Sequence, residues 1–157
     1  ATAPSGGANQ DRHMPCKVEN LHSKVKQVFA GSVHTCVLTV GGAVYTFGKH
    51  EYTGHGERLD ILSPRLITAF GDVPVRGSGG AAPPHFCFFP GRQVRQISVG
   101  PGGYHTMALT CQGKVYAWGH NRVGQLGYAN SKVVPKNMEG AYFLPSPQMV
   151  ESLGSMV

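Results

Sequence analysis

Two histidines, each followed by a threonine, are the side chains of this 157-residue sequence best suited to chemistry. His34-Thr35 and His105-Thr106 set an imidazole beside a hydroxyl, the pairing that general-base or nucleophilic catalysis uses. His34 with Cys36 and His85 with Cys87 also offer four donors of the kind that bind zinc. Their spacing speaks against both chemistries. A catalytic group is needed once, whereas the His-Thr pair recurs at one point of a repeated sequence, which marks a packing or hydrogen-bonding device. In the second copy the place of Cys36 is taken by Met107, which does not replace a thiolate ligand. None of Cys16, Cys36, Cys87 and Cys111 lies in a CxxC spacing, so they read as buried, reduced thiols of a cytosolic or nuclear protein. The eight carboxylates are scattered, and Gly77-Ser78-Gly79-Gly80 leads into Pro83-Pro84 without the Lys-Ser/Thr of a phosphate-binding loop. No catalytic constellation, metal site or cofactor is expected.

The elements that position these residues are repeated with them. Residues 25–56 align with residues 94–127 once two residues are inserted after Gly100, which pairs His34 with His105 and Thr35 with Thr106. The same register pairs Gly31 with Gly100, Leu38 with Leu109, Thr39 with Thr110, Gly42 with Gly113, Tyr45 with Tyr116 and Gly48 with Gly119. Each copy breaks into three short alternating or β-branched stretches, at 25–29, 34–38 and 43–47 and again at 94–97, 105–109 and 114–118, which predict strands. Gly42 and Gly113 each close a short link between the second and third stretches, where a tight hairpin needs positive φ. Gly31 and Gly100 are expected where backbones crowd. Tyr45, Tyr116, Phe47 and Trp118 are assigned to packing between units. Helical periodicity is nowhere sustained over three turns.

The unit is therefore a small antiparallel sheet that buries its apolar face against a neighbouring copy, the pattern of a β-propeller blade. Residues 15–21 are echoed at 147–153, and more weakly from Pro64 to Ile67. These echoes divide the chain into a flexible tail at 1–14, a first repeat at 15–63, a second at 64–146 and the start of a third at 147–157. A longer parent that carries the remaining blades is expected.

Hydrophobic residues make up 41% of the chain, enough for a packed core, while 22 Gly and 11 Pro favour turns over long helices. No apolar run approaches the roughly 20 residues of a membrane-spanning helix, so no membrane insertion is expected. The net charge of +6 suits an acidic partner, but the basic residues are scattered and no nucleic-acid motif is present, so chromatin contact is only weakly indicated.

The second copy continues as Gly119-His120-Asn121-Arg122-Val123-Gly124-Gln125-Leu126-Gly127. With the G-x-x-H-T-x-x-L-T-x-x-G-x-V-Y-x-[FW]-G pattern shared by both copies, this resembles the regulator of chromosome condensation repeat. The first copy departs from it, with Thr53-Gly54-His55-Gly56 in place of the last four residues and Phe47 in place of Trp. The resemblance implies a seven-bladed β-propeller, all-β, in which each sequence repeat spans parts of two blades. It is compatible with a non-catalytic protein-interaction scaffold, with guanine nucleotide exchange on the small GTPase Ran together with chromatin association, and with a substrate-binding or regulatory module of a larger protein such as a ubiquitin ligase. The family also includes plant ultraviolet photoreceptors that depend on clustered tryptophan, whereas Trp118 stands alone here.

Partner contacts are expected where the copies differ. An insertion at 71–91 carries the aromatic stretch His85, Phe86, Phe88 and Phe89 and is followed by Arg92. A second, at 131–144, ends in Tyr142, Phe143 and Leu144. Each reads either as an extra strand or folded-back loop, or as a partner-binding protrusion on a rigid scaffold.

Overall fold

The structure, a computed structural model, describes residues 14–21, 23–70, 93–100, 102–128, 134, 136 and 140–151. Two four-stranded antiparallel sheets hold the repeated sequence. The first orders β1 (Val25–Ala30), β2 (His34–Thr39), β3 (Val44–Gly48) and β4 (Ile61–Leu66) side by side, with a short helix α1 (His50–Thr53) between the last two. The second orders β5 (Val94–Val99), β6 (His105–Thr110), β7 (Val115–His120) and β8 (Phe143–Met149) in the same way. Each of the six predicted stretches lies within or overlaps one of the first three strands of a sheet.

The pairing repeats with the sequence. His34 faces Gly48 across β2–β3, and His105 faces Gly119 across β6–β7. A bulge breaks β1 between Val25 and Gln27 and recurs in β5 between Val94 and Gln96, which bends the first strand of each sheet alike. The repeated threonines now have a reason. Thr39 Oγ1 accepts from the Ala43 amide at 3.0 Å, and Thr110 Oγ1 from the Lys114 amide at 3.1 Å. Each hydroxyl thus closes the hairpin whose Gly42 or Gly113 lies at φ 81° or 79°.

The fourth strand of each sheet is not among the six predicted stretches, although an extra strand is one reading of the insertion that ends in β8. It carries proline, Pro64 in β4 and both Pro145 and Pro147 in β8, and this composition reads as a break. Proline is tolerated there because β4 and β8 are outer strands, with one ladder side left unpaired in the sheet order. The segment Pro64–Leu66, an echo in the sequence, thus closes the first sheet, and Pro147–Met149 closes the second. The end of the second insertion enters the same strand, since Phe143 and Leu144 begin β8.

The two sheets share one core. Cys36, Leu38, Val44, Ile67 and Phe70 from the first unit pack with Val94, Ile97, Ala108, Ala117, Trp118 and Leu126 from the second. Trp118 is fully buried, with its Nε1–H donating to the Tyr52 carbonyl of α1 at 3.1 Å. Phe70 meets Tyr116 edge-on at 5.2 Å between ring centres and Trp118 at 6.0 Å. Burial of side chains of this size contributes about 2–3 kcal/mol each, so this seam joins the units firmly. Turns tie the seam at both ends, through Ser32 Oγ to the Gly102 carbonyl and through the Val94 amide to the Gly42 carbonyl at 3.1 Å. One expectation about the thiols fails. Cys36 is buried, but Cys16 and Cys111 are exposed, Cys111 because it sits in the turn between β6 and β7.

Candidate functional site

His34 begins β2 with its ring in the seam between the units. Its Nε2 lies 2.9 Å from Thr106 Oγ1, the hydroxyl of the next unit's His-Thr pair. Burial lowers the His34 pKa to about 4, the Gly103 backbone opposes this, and the nearby His105 lowers it further. The imidazole is therefore neutral near pH 7 and bonds as a neutral partner. Cys36 approaches the same hydroxyl at 3.8 Å, with its thiol pushed up to about 12 by burial and partly drawn back by Thr106. This thiol is not a nucleophile. His34 thus faces the threonine of the other unit, and the pair is a structural contact across two blades.

The repeated glycines make room for these rings. A Cβ on Gly100 would run into the His105 ring, and one on Gly31 would meet the Gly103 carbonyl at 2.6 Å and the His34 ring at 2.8 Å. Beyond β7, the Asn121 side chain accepts from the Leu126 amide at 3.0 Å, with Gly124 and Gly127 in the turns that wrap around it. Leu126 is driven fully into the core by this loop. The repeat signature is therefore a packing code.

Among the residues assigned to partner contact, His85, Phe86, Phe88, Phe89 and Arg92 lie outside the described residues. Tyr142 and Phe143 are half-buried. The Tyr142 ring packs against the shared core under the Lys136 ammonium, 4.8 Å from its centre, while its carbonyl accepts from the Asn121 amide at 2.8 Å. Phe143 pairs with His120 at the start of β8.

A different surface stands out. Strand direction brings the β1–β2 turn, the β3–β4 connection, the β5–β6 turn and the β7–β8 connection to one end of the two sheets. There a row of rings crosses the seam, from His34 to Tyr52 at 6.2 Å, to Tyr104 at 5.6 Å and to His120 at 6.3 Å. Lys49 stands 5.9 Å from the Tyr52 ring centre and pairs with Glu51 at 3.3 Å. In the loops of this end Tyr104 is 44% exposed, Val123 83% and Leu59 77%, with Val33, Arg58 and Arg122 also exposed. The opposite end holds the short β2–β3 and β6–β7 hairpins, where Val40 is exposed, with Val25 and Met149 exposed on the strand ends beside them. The sequence signal for the row was weak, because Tyr52 and Tyr104 occupy no shared repeat position.

A cleft of about 230 Å³ between β4 and β8 is lined by Gly54, His55, Arg65, Thr68, Ser146 and their neighbours. Its charged groups are already engaged. Arg65 pairs with Glu57 at 2.6 Å, and His55 Nε2 lies 2.9 Å from Thr46 Oγ1. The Thr46 hydroxyl beside this imidazole is fully buried and donates to the Thr53 carbonyl, so it faces the interior of the fold.

The comparisons agree with this architecture. Family models described as regulator of chromosome condensation (RCC1) repeat match residues 25–53 and 94–125, and residues 112–156. The ultraviolet-B receptor UVR8 of Arabidopsis thaliana is 34% identical over 129 residues, which cover 80% of this chain and 24% of the receptor. The human E3 ubiquitin-protein ligase HERC2 is 30% identical over 130 residues, 80% of this chain but 2% of the ligase. The crystal structure of human WBSCR16 superposes with a TM-score of 0.61 at 26% identity, covering 87% of this chain and 28% of that one. The chain thus spans about a quarter or less of the length of each of these proteins. With its two blades, its shared seam and these matches, the chain belongs to the regulator of chromosome condensation repeat family and forms part of a β-propeller.

Proposed function

We propose that this chain is part of a non-catalytic scaffold that docks a protein partner on the loop end of its two blades. The observation that carries the reading is the exposure of Tyr104, Val123, Leu59, Val33, Arg58 and Arg122 in the loops of one end, where a ring row crosses a packed seam. Exposed apolar side chains ringed by polar ones mark interaction sites, and aromatic and arginine side chains dominate interface energetics. The cations favour a partner that presents apolar and acidic side chains. A rigid two-blade base keeps the loops in place, so little ordering entropy is lost on docking.

The likeness to HERC2 supports a second reading, a substrate-binding or regulatory module within a larger protein. The exchange-factor reading rests on the family resemblance, the net charge of +6 and the 71–91 insertion, which lies outside the described residues. Photoreception is not supported by a lone, buried tryptophan.

The test places a photo-crosslinking residue at position 123 or at position 40 of the intact protein. Crosslinks to one partner from position 123, abolished by Arg122→Glu and unaffected by Val40→Ser, are expected. Crosslinks from position 40 alone contradict the reading.

A further inference from the structure

The His34–Thr106 contact is built from repeated residues, yet each unit supplies only half of it. Thr35, the counterpart of Thr106, and His105, the counterpart of His34, lie on the outward faces of the two sheets and are half-buried. We propose that these are the unmet halves of the same clasp. Thr35 receives a histidine ring from a further four-stranded unit on the β1–β4 side, and His105 engages a threonine hydroxyl of another on the β5–β8 side.

Continuity with the observed seam supports this occupant. Ile97 and Val94 of the second unit press into the seam at 2% exposure each, whereas their counterparts Val28 and Val25 stand 61% and 38% exposed. On the other side Leu38, Cys36 and Val44 are fully buried, while Leu109, Met107 and Val115 are only half-buried. Each outward face thus presents the set of side chains that its counterpart buries.

Residues 15–21 add an independent observation. Leu21 stands six residues after Pro15, as Phe70 stands six after Pro64. Phe70 follows an outer strand and lies on Tyr116 and Trp118 of the next unit. Leu21 packs in the cluster of Val37 and Tyr45, with Phe47 beside it, and Tyr45 and Phe47 are the counterparts of Tyr116 and Trp118. Leu21 therefore does for the first unit what Phe70 does for the second. The outward face of the first unit is accordingly a blade seam with one piece of its neighbour already in place.

The inference rests on the propeller reading and is tested so that the two fail separately. In the intact protein, Thr106→Val removes the observed clasp and sets the reference, a roughly tenfold rise in the unfolding equilibrium constant by urea titration. Thr35→Val is expected to match it within about threefold, Thr35→Ser to restore the wild-type value, and His105→Phe to cost a similar factor. A silent Thr35→Val beside a disc-shaped small-angle scattering profile overturns the clasp and leaves the propeller standing. An extended profile overturns the propeller and the clasp together.

Discussion

His34 and His105 occupy the same position of the same repeat, yet only one of them is finished. His34 has a complete second blade against it, is 3% exposed and meets a threonine hydroxyl at 2.9 Å. His105 has the same glycine under its ring and the same strand partner, but it remains half-buried on an outward face. Burial lowers both imidazoles, and His34 far enough to reach about 4. Local sequence sets the ring's direction, and the neighbouring unit supplies its environment. Repeat stability is thus a sum of units and seams, and the described residues contain one complete seam.

The largest expected effect comes from breaking that seam at its centre. Trp118→Ala removes the fully buried ring that fills the space between α1 and the second sheet, along with its bond to the Tyr52 carbonyl. A loss of about 3–5 kcal/mol in urea unfolding of the intact protein is expected. Val123→Ser, on the loop end of the same blade, is expected to stay within about 0.5 kcal/mol.

The next effect is acid sensitivity. His34 titrates near 6.5 when unfolded and at about 4 when folded, so between these values the unfolded chain binds a proton that the folded one refuses. Stability is complete above pH 6.5 and falls as pH drops towards 4, by at most about 3 kcal/mol from this group. His55 and His105, also lowered by burial, act in the same direction. Unfolding midpoints measured from pH 7.5 to 4.5 should fall steadily, and His34→Gln should flatten the slope. An equal slope in the variant assigns the sensitivity to other groups.

The comparison of the two blades also explains which features were legible in the sequence. Strands β1 to β3 and β5 to β7 alternate and repeat, so periodicity and self-similarity locate them. Strands β4 and β8 carry proline and lie at sheet edges, where the ladder tolerates it, and so they read as breaks. The short helix α1 has no periodicity to detect in four residues, yet it buries Tyr52 and receives Trp118. The two histidines were legible as structural because they recur. The ring row was not, because Tyr52 of α1, Tyr104 of the β5–β6 turn and His120 of β7 share no repeat position, and Tyr52 meets Tyr104 only across the seam. Tyr142 is aromatic and lies within the 131–144 insertion, which suggests a contact residue, and its half-buried ring also packs against the core. Composition alone does not separate an anchor for a partner from an anchor for the fold.

The most direct measurement is a double-mutant cycle on His34 and Thr106. His34→Ala, Thr106→Ala and the double variant would be unfolded in urea at pH 7.5 in the intact protein. A coupling energy of about 1 kcal/mol or more is the result predicted for a hydrogen bond that crosses two blades. Additive losses, with coupling near zero, would contradict the claim that the repeated histidine is the clasp of the seam.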